Sequence, residues 1–241
     1  MRAYAIVMQD NEDSLAGLRT LQQSIDATHS HINLIPFQAT VPSTIHHGMK
    51  EVFGDTPVKW SWSGGPEEDR MDLRSGLYKR HYKAVDQNRV IACALSHFRL
   101  WKQCAHGGET MMILEHDARF IRKFRISDLA GRWGAVGLND PRGNTRKGMK
   151  FHNIVVSYGE GIHRVPVIDE PTEPPLPMGL AGNSAYIIQP KFAKSLLAEM
   201  KDNLGLWPND AIMCRQLFPS LKVVYPYYTD VVKRGSTTTG I

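Results

Sequence analysis

The chain is poor in cysteine and has no long hydrophobic run. Its 241 residues include three cysteines, none of them in a Cys-x-x-Cys spacing. A set this small and scattered argues against a disulfide framework and a structural zinc site, and fits a reducing compartment. No stretch approaches the roughly 18 consecutive apolar residues of a membrane-spanning helix, and the apolar start is too short for a signal peptide. We therefore expect a soluble, cytoplasmic protein.

The sequence also lacks internal repeats, low-complexity blocks and the long Lys/Arg run of a nucleic-acid-binding tail. Apolar residues make up 42% of the chain and charged residues 22%, which excludes a disordered protein. The net charge is +5 and the isoelectric point is about 9.1. A basic chain suits an anionic partner such as a nucleotide, a phosphorylated glycan or a nucleic acid.

The order of the predicted elements indicates an α/β fold. Residues 4–8 form a short apolar run that predicts a buried strand, and residues 13–27 show helical spacing, with Asp13 or Ser14 as the expected cap. Residues 32–37 predict a second strand, so the chain opens with a βαβ unit. Further along, we expect a helix over 91–106, strands over 111–114, 133–138, 184–188 and 223–225, and a helix opened by Pro190.

We expect a single domain over residues 1–231, with an irregular insertion at about 42–88 that is rich in glycine and proline. A long irregular segment in a compact domain often covers a functional site. Residues 166–179 hold five prolines and predict an extended loop. Residues 232–241 predict a flexible tail.

Two carboxylates follow a short apolar run near the middle of the chain. Glu115, His116 and Asp117 come directly after four apolar residues. In an extended chain, side chains two residues apart point the same way, and ligands bind beyond the carboxyl ends of strands in open α/β sheets. Paired carboxylates hold Mg²⁺ or Mn²⁺ while substrate phosphates fill other positions. The triplet predicts a metal clamp on a diphosphate, although acidic residues at a strand end can also serve solubility alone.

The central block RVIACALSHFRLWKQCAHGGETMMILEHDARF resembles the core signature of glycosyltransferase family 25. Its members are lipooligosaccharide-type sugar transferases, related to collagen galactosyltransferases. The matching positions are Cys93, Ser96, His97, Trp101, Glu115 and Asp117. Weaker similarities run along AYAIVMQDNEDS, NLIPFQAT, RWGAVGLN, AGNSAYIIQPKFAKSLL and WPNDAIM. The resemblance covers most of the chain except residues 45–85.

The resemblance implies a GT-A-type nucleotide-sugar-binding fold, a mixed central sheet flanked by helices, and a divalent cofactor, Mn²⁺ or Mg²⁺. It implies that Ser96, His97, Glu115 and Asp117 bind the donor and that Asp117, Glu115 and His116 hold the metal. The family has an acidic residue where His116 stands and a Glu where Arg89 stands. His97 on an amphipathic helix can instead be a hydrogen-bonded structural residue.

The family usually transfers with inversion, which needs a base for the acceptor hydroxyl. Asp210 is the candidate catalytic base, because it follows Pro208-Asn209 at the start of an apolar stretch. Aspartate also caps helices at such positions, so that simpler role stays open.

Several functions remain open at this stage. The first is transfer of a hexose, by family habit from a UDP-sugar, to a saccharide acceptor in lipopolysaccharide biosynthesis. The second is DNA modification, with hydroxymethylated bases as acceptors and phosphates held by cations. The cations concerned are Arg142, Arg146, Lys147 and Lys150 in one loop and Lys79, Arg80 and Lys83 in another. A third is a non-catalytic sugar-nucleotide-binding protein. A metal phosphoesterase is disfavoured, because such sites collect more His and Asp ligands.

Overall fold

A computed structural model describes residues 1–83, 86–142, 147–168 and 174–232. The strands are β1 (Arg2–Val7), β2 (Leu34–Gln38), β3 (Arg70–Met71), β4 (Tyr78–Lys79), β5 (Met111–Glu115), β6 (Ala118–Phe120), β7 (Ala135–Gly137), β8 (Gly161–Arg164), β9 (Ala185–Ile188), β10 (Leu221–Tyr225) and β11 (Thr229–Val231). The helices are α1 (Glu12–Ala27), α2 (Ile45–Phe53), α3 (Gln87–Gly107), α4 (Gly148–Ser157), α5 (Pro190–Glu199) and α6 (Asn209–Ile212). A π-helical turn, Met200–Leu204, continues α5, and 3₁₀ turns lie at Pro42–Thr44, Pro66–Glu68 and Ile126–Asp128.

The central sheet has seven strands in the order β2-β1-β5-β9-β7-β10-β8. β1 pairs in parallel with β2 and β5, and β7 pairs in parallel with β10. β9 runs antiparallel to both β5 and β7, and β8 runs antiparallel to β10. The carboxyl ends of β1, β2, β5, β7 and β10 therefore meet at one edge. The predicted α/β fold with a mixed central sheet is confirmed.

The middle strands are continuous apolar runs because both faces of the sheet are covered. Along β5, Met111 and Ile113 belong to one buried cluster, whereas Met112 and Leu114 belong to a second cluster on the other face. This alternation follows from the two-residue period of a strand. The burial of both faces holds the end of β5 in a fixed position.

The opening βαβ unit is confirmed, although its helix is capped differently from the prediction. Asn11, and not Asp13 or Ser14, is the N-cap residue of α1, and its side chain accepts a hydrogen bond from the Ser14 backbone. The Ser14 hydroxyl instead accepts from the backbone of Met8 at 2.9 Å. Pro190 opens α5 as predicted.

The segment predicted as an irregular insertion contains regular structure. Helix α2 lies within it and packs against α3, and β3 and β4 form a two-stranded hairpin. Helix α4 and strands β6, β8 and β11 were also not predicted, because each is short and mixes apolar with polar residues. Arg146 and positions 233–241 of the expected tail lie outside the described residues. Within the described ranges, no helix has the length and apolar character needed to cross a membrane.

Candidate active site

The first cavity lies at the carboxyl ends of β1, β2 and β5, beside the N-terminal half of α3. Its volume is about 350 Å³. It is lined by Ile6, Met8, Asn11, Ala39, Thr40, Val41, Pro42, Arg89, Ala92, Cys93, Ser96, His97, Glu115 and His116. Four of the predicted site residues, Ser96, His97, Glu115 and His116, are therefore brought together at the edge where α/β sheets bind ligands.

His97 is buried and orients the Glu115 carboxylate. Its Nε2 lies 3.1 Å from Glu115 Oε1, and its Nδ1 lies 2.9 Å from the Tyr186 hydroxyl. Trp101 Nε1 donates to that hydroxyl at 2.7 Å. Because an indole nitrogen can only donate, the tyrosine proton is available for His97 Nδ1, which leaves an Nε2–H to donate to Glu115. This chain of hydrogen bonds keeps Glu115 aimed at the cavity.

The same contacts keep Glu115 ionised. Burial by itself would raise the pKa of this carboxyl, but the hydrogen bond from His97, aided by the electrostatic effects of His97 and His116, outweighs it and lowers the pKa. Glu115 is therefore an anionic ligand at neutral pH.

Ser96 shapes the wall of the first cavity. Its hydroxyl donates to the Ala92 carbonyl at 2.9 Å and accepts from the Thr40 backbone at 2.9 Å. The second bond ties α3 to the segment that follows β2. Ser96 thus positions backbone on the rim of the cavity.

His116 and Asp117 form a turn between β5 and β6. Because β5 ends at Glu115, the extended geometry that was expected to align residues 115 and 117 is not present. Asp117 is not among the side chains that line the first cavity, and its carbonyl accepts from Val232 at 2.9 Å. The turn packs on α1 at Gly17, where a Cβ would lie 2.5 Å from the His116 carbonyl oxygen.

A second cavity, of about 330 Å³, contains Asp210. Other lining residues are Trp62, Arg80, His81, Tyr82, Lys147, Phe151, Met178 and Leu180. Asp210 lies in the first turn of α6, whose N-cap residue is Pro208, and its Oδ1 accepts a hydrogen bond of 2.8 Å from the Tyr82 hydroxyl. Burial, together with the charge of Glu115, raises the pKa of Asp210 in spite of the Tyr82 bond. A carboxylate with a raised pKa is a better proton acceptor.

Cys93 lines the first cavity and feels the charge of Asp210, which lines the second. Burial raises the pKa of this thiol, and the negative charges of Glu115, Asp210 and Asp117 raise it further. Three of the acidic residues predicted for the site therefore act on one side chain, although they come from two segments that are distant in the sequence. Such a concentration of negative charge is stabilised by a cation.

The donor atoms present fit a divalent cation. The carboxylates of Glu115 and Asp117 are hard oxygen ligands that suit Mn²⁺ or Mg²⁺, and Mn²⁺ also accepts an imidazole such as that of His116. Cys93, His97 and Glu115 also place one ligand atom each within 4.8 Å of one another. In that second set, both nitrogens of His97 already take part in hydrogen bonds, so His97 would have to give up one of them to bind a metal.

Sequence reasoning missed three residues that shape this site. Tyr82 lies in the segment taken as an insertion, and Tyr186 lies inside a buried strand, so neither carried a local signal. Arg89 was noted only as a departure from the family pattern, yet it lines the first cavity near the start of α3. This chain has Arg where the family has Glu, and that difference was the sign in the sequence that an anionic ligand binds here.

The chain contains a glycosyltransferase family domain. Residues 20–128 match the sequence model of Glycosyltransferase family 25 (LPS biosynthesis protein), which confirms the resemblance read from the central block. The match begins within α1, extends past the turn at residues 116–117, and includes the lining residues of the first cavity other than Ile6, Met8 and Asn11. Asp210 and most of the second cavity lie beyond it. A search of curated proteins finds no significant match.

Among solved structures, the galactosyltransferase LgtC, in complex with donor and acceptor sugar analogs, is 13% identical with a TM-score of 0.39, over 92% of this chain and 73% of the other. An active-site mutant of LgtC is 12% identical with a TM-score of 0.38, over 92% of this chain and 72% of the other. The apo form of mouse xyloside xylosyltransferase 1 is 10% identical with a TM-score of 0.43, over 91% of this chain and 83% of the other. Similarities of this size carry no conclusion about activity.

Proposed function

We propose that this glycosyltransferase moves a hexose from a nucleotide sugar, a UDP-sugar by family habit, to a hydroxyl of a saccharide acceptor. The observation that carries the proposal is that carboxylates from the two cavities act on one side chain, Cys93, which lines the first cavity. Glu115 lines one of them, Asp210 lines the other, and both charges act on this thiol. We also propose that residues 1–231 form one domain, since the two core clusters cover opposite faces of a single sheet.

The first cavity suits a nucleotide diphosphate. Ile6, Met8 and Val41 offer an apolar wall for the base. Arg89 adds an exposed cation in the first turn of α3, a helix end that favours negative charge. Glu115 and His116 lie in the same cavity, where a divalent cation would join the diphosphate to the protein.

Glu115, Asp117 and His116 would hold Mn²⁺ or Mg²⁺. When bound, such an ion neutralises the charge that develops on the departing nucleoside diphosphate. His97 is a positioning residue here, because it holds Glu115 through one nitrogen and is itself held by Tyr186 through the other.

Asp210 would act as the base of an inverting displacement. The acceptor oxygen forms a bond to the anomeric carbon as the bond to the diphosphate oxygen breaks, and Asp210 accepts the hydroxyl proton. Tyr82 donates to Oδ1 of Asp210 and so holds this carboxylate in the second cavity, where the acceptor would bind. Trp62 and Phe151 supply rings in the second cavity on which a sugar can stack.

Two of the cations that suggested a DNA acceptor form ion pairs within the protein instead. Lys79 is only 4% exposed and pairs with Asp72, and Arg142 is held by Asp140. A saccharide acceptor in a glycan such as lipopolysaccharide is therefore the proposal, and a hydroxymethylated DNA duplex serves as the competing acceptor in the test.

The test is hydrolysis and transfer with a panel of nucleotide sugars, with and without Mn²⁺. We expect slow donor hydrolysis that stops when the metal is chelated. Asp117→Asn and Glu115→Gln should abolish most of it, and Asp210→Asn should lower transfer about 10²- to 10⁴-fold, the usual contribution of a general base. Asp202→Asn, an exposed site on the π-helical turn after α5, is the matched control.

Two results would count against the proposal. Turnover that does not depend on a metal would show that the carboxylates of Glu115 and Asp117 do not act as metal ligands in the reaction. An absence of turnover, with UDP binding intact, would favour a non-catalytic sugar-nucleotide-binding protein. A mass gain on hydroxymethylated DNA, with none on saccharides, would instead establish the DNA acceptor.

A further inference from the structure

A third cavity lies at the same edge of the sheet, beyond the carboxyl ends of β7 and β10. Its volume is about 280 Å³, and we call it the tyrosine cavity. The residues that matter are Arg122, Asp140, Arg142, His152, Tyr225 and Tyr227. None of them lines either of the two cavities described above.

Arg122 brings an uncompensated positive charge to the tyrosine cavity. Its guanidinium carbon lies 3.8 Å from the centroid of the Tyr228 ring. Its Nε is buried and has no hydrogen-bond partner among the described residues. None of the ion pairs in the described ranges includes Arg122. Arg122 lines the tyrosine cavity, so an anionic ligand there can accept charge-assisted hydrogen bonds from the terminal N–H groups of its guanidinium.

Arg142 is held in place at the rim by Asp140. Its Nε and Nη2 donate to the two carboxylate oxygens at 3.0 and 2.6 Å. The Arg142 side chain is still 52% exposed, whereas that of Asp140 is 9% exposed. This pair is neutral as a unit, so Arg122 sets the net positive charge of the tyrosine cavity. Because Asp140 fixes the guanidinium of Arg142, the N–H groups that do not bond Asp140 stay directed away from the pair.

Three rings form the other wall of the tyrosine cavity. Tyr225 and Tyr227 meet edge to face, with ring centroids 5.4 Å apart. The His152 ring lies 5.8 Å from that of Tyr227, and its Nδ1 is 3.3 Å from the Tyr227 hydroxyl. Rings with hydroxyl groups at their edges present both an apolar face and hydrogen-bonding groups to a ligand. A sugar unit matches this combination, because it has C–H faces and hydroxyl edges.

The tyrosine cavity and the second cavity lie on either side of α4. Phe151 lines the second cavity, and the next residue, His152, lines the tyrosine cavity. A saccharide with its reacting hydroxyl near Asp210 can therefore place a neighbouring unit against Tyr225 and Tyr227.

We propose that the tyrosine cavity binds an anionic sugar unit of the acceptor, with the tyrosine rings as its platform and Arg122 and Arg142 holding its phosphate or carboxylate. This inference rests on the proposed function, since it takes the bound unit to be part of the acceptor. A nucleic acid fits less well, because phosphate tracking needs a row of cations and this cavity has one uncompensated charge.

The test is calorimetric titration of the full chain with three probes at constant ionic strength: glucose 6-phosphate, glucose and inorganic phosphate. We expect glucose 6-phosphate to bind more tightly than either of the others. Arg122→Gln and Arg142→Gln should each weaken it about tenfold, as expected for loss of a charge-assisted hydrogen bond. Arg132→Gln is the matched control, because this exposed arginine precedes β7 at the opposite edge of the sheet. Arg142 is half exposed, so this variant should fold even if Arg122→Gln does not, and thermal melts verify both.

Equal affinities for glucose 6-phosphate and phosphate, or affinities that neither variant changes, would overturn the proposal. Binding of a DNA duplex that the two variants abolish, without sugar phosphate binding, would also overturn it. The titration needs neither donor nor metal. Donor turnover without sugar phosphate binding would therefore defeat only this inference, whereas binding without turnover would defeat only the proposed transfer.

Discussion

The Tyr82 hydroxyl donates a 2.8 Å hydrogen bond to Oδ1 of Asp210, across a sequence separation of 128 residues. This contact joins the segment before α3 to the first turn of α6. It stabilises the ionised form of Asp210, whereas burial and the charge of Glu115 favour the protonated form. The base proposed for acceptor activation is therefore tuned by a residue outside its own element.

Tyr82→Phe should raise the pKa of Asp210 further, because it removes the hydrogen bond that lowers this pKa. A base acts only when deprotonated, so activity is lost as the pH falls through its pKa. The acidic limb of the pH–rate profile should therefore move to higher pH in the variant, and activity at high pH should change less. A parallel drop in rate at every pH would contradict this role for Tyr82. Tyr78→Phe, the same exchange in β4 at a residue that lines neither cavity, is the control.

His97→Ala should weaken Mn²⁺ binding, because Glu115 loses the hydrogen bond that orients it. Loss of a residue that supports a metal ligand costs about 10- to 100-fold in affinity. His97→Gln keeps an N–H donor and should recover part of the loss. Water-proton relaxation measures the affinity without turnover. If both variants bind Mn²⁺ like the wild type, His97 does not position a ligand.

Gly17→Ala should both destabilise the fold and reduce activity. The new Cβ would lie 2.5 Å from the His116 carbonyl oxygen and 2.9 Å from the His116 ring, so the turn that carries the acidic triplet must shift. Overpacking of this kind costs about 1–3 kcal/mol. In Gly107→Ala, nothing lies within 4 Å of the new Cβ, and the same exchange near the end of α3 should be neutral or stabilising. Chemical denaturation of both variants measures the difference, and equal effects would contradict the clash.

Asp72→Asn should destabilise the insertion between α2 and α3. Lys79 is 4% exposed, and its Nζ lies 3.5 Å from Asp72 and 2.7 Å from the Ser61 carbonyl. Removal of one partner from a buried pair costs about 3–5 kcal/mol, because the remaining charge stays buried. Asp55→Asn, an exposed site in the same insertion, should have little effect on the free energy of unfolding.

The Asp72 contribution should depend on pH in a defined direction. Burial by itself would raise the pKa of Asp72, but hydrogen bonds from Ser75 and the charge of Lys79 outweigh it and lower the pKa. A lowered folded-state pKa stabilises the protein above the unfolded value, about 3.9, and this stabilisation disappears as the pH falls through the folded-state pKa. The difference in unfolding free energy between wild type and Asp72→Asn should therefore shrink in acid. A difference that stays constant down to the acid range would contradict the ion pair.

The amino-acid sequence by itself determined the α/β class, the strand before Glu115, the helix that carries Ser96 and His97, and the resemblance to a glycosyltransferase family that the match over residues 20–128 confirms. Each of these depends on local periodicity or on a contiguous block of residues. The tertiary structure decided the contacts between distant segments. It placed Asp210 beside Tyr82, joined His97 to Tyr186, and brought Arg89 to the first cavity. Those contacts depend on the order of strands in the sheet, which brings residues far apart in the chain to one edge and leaves no local pattern.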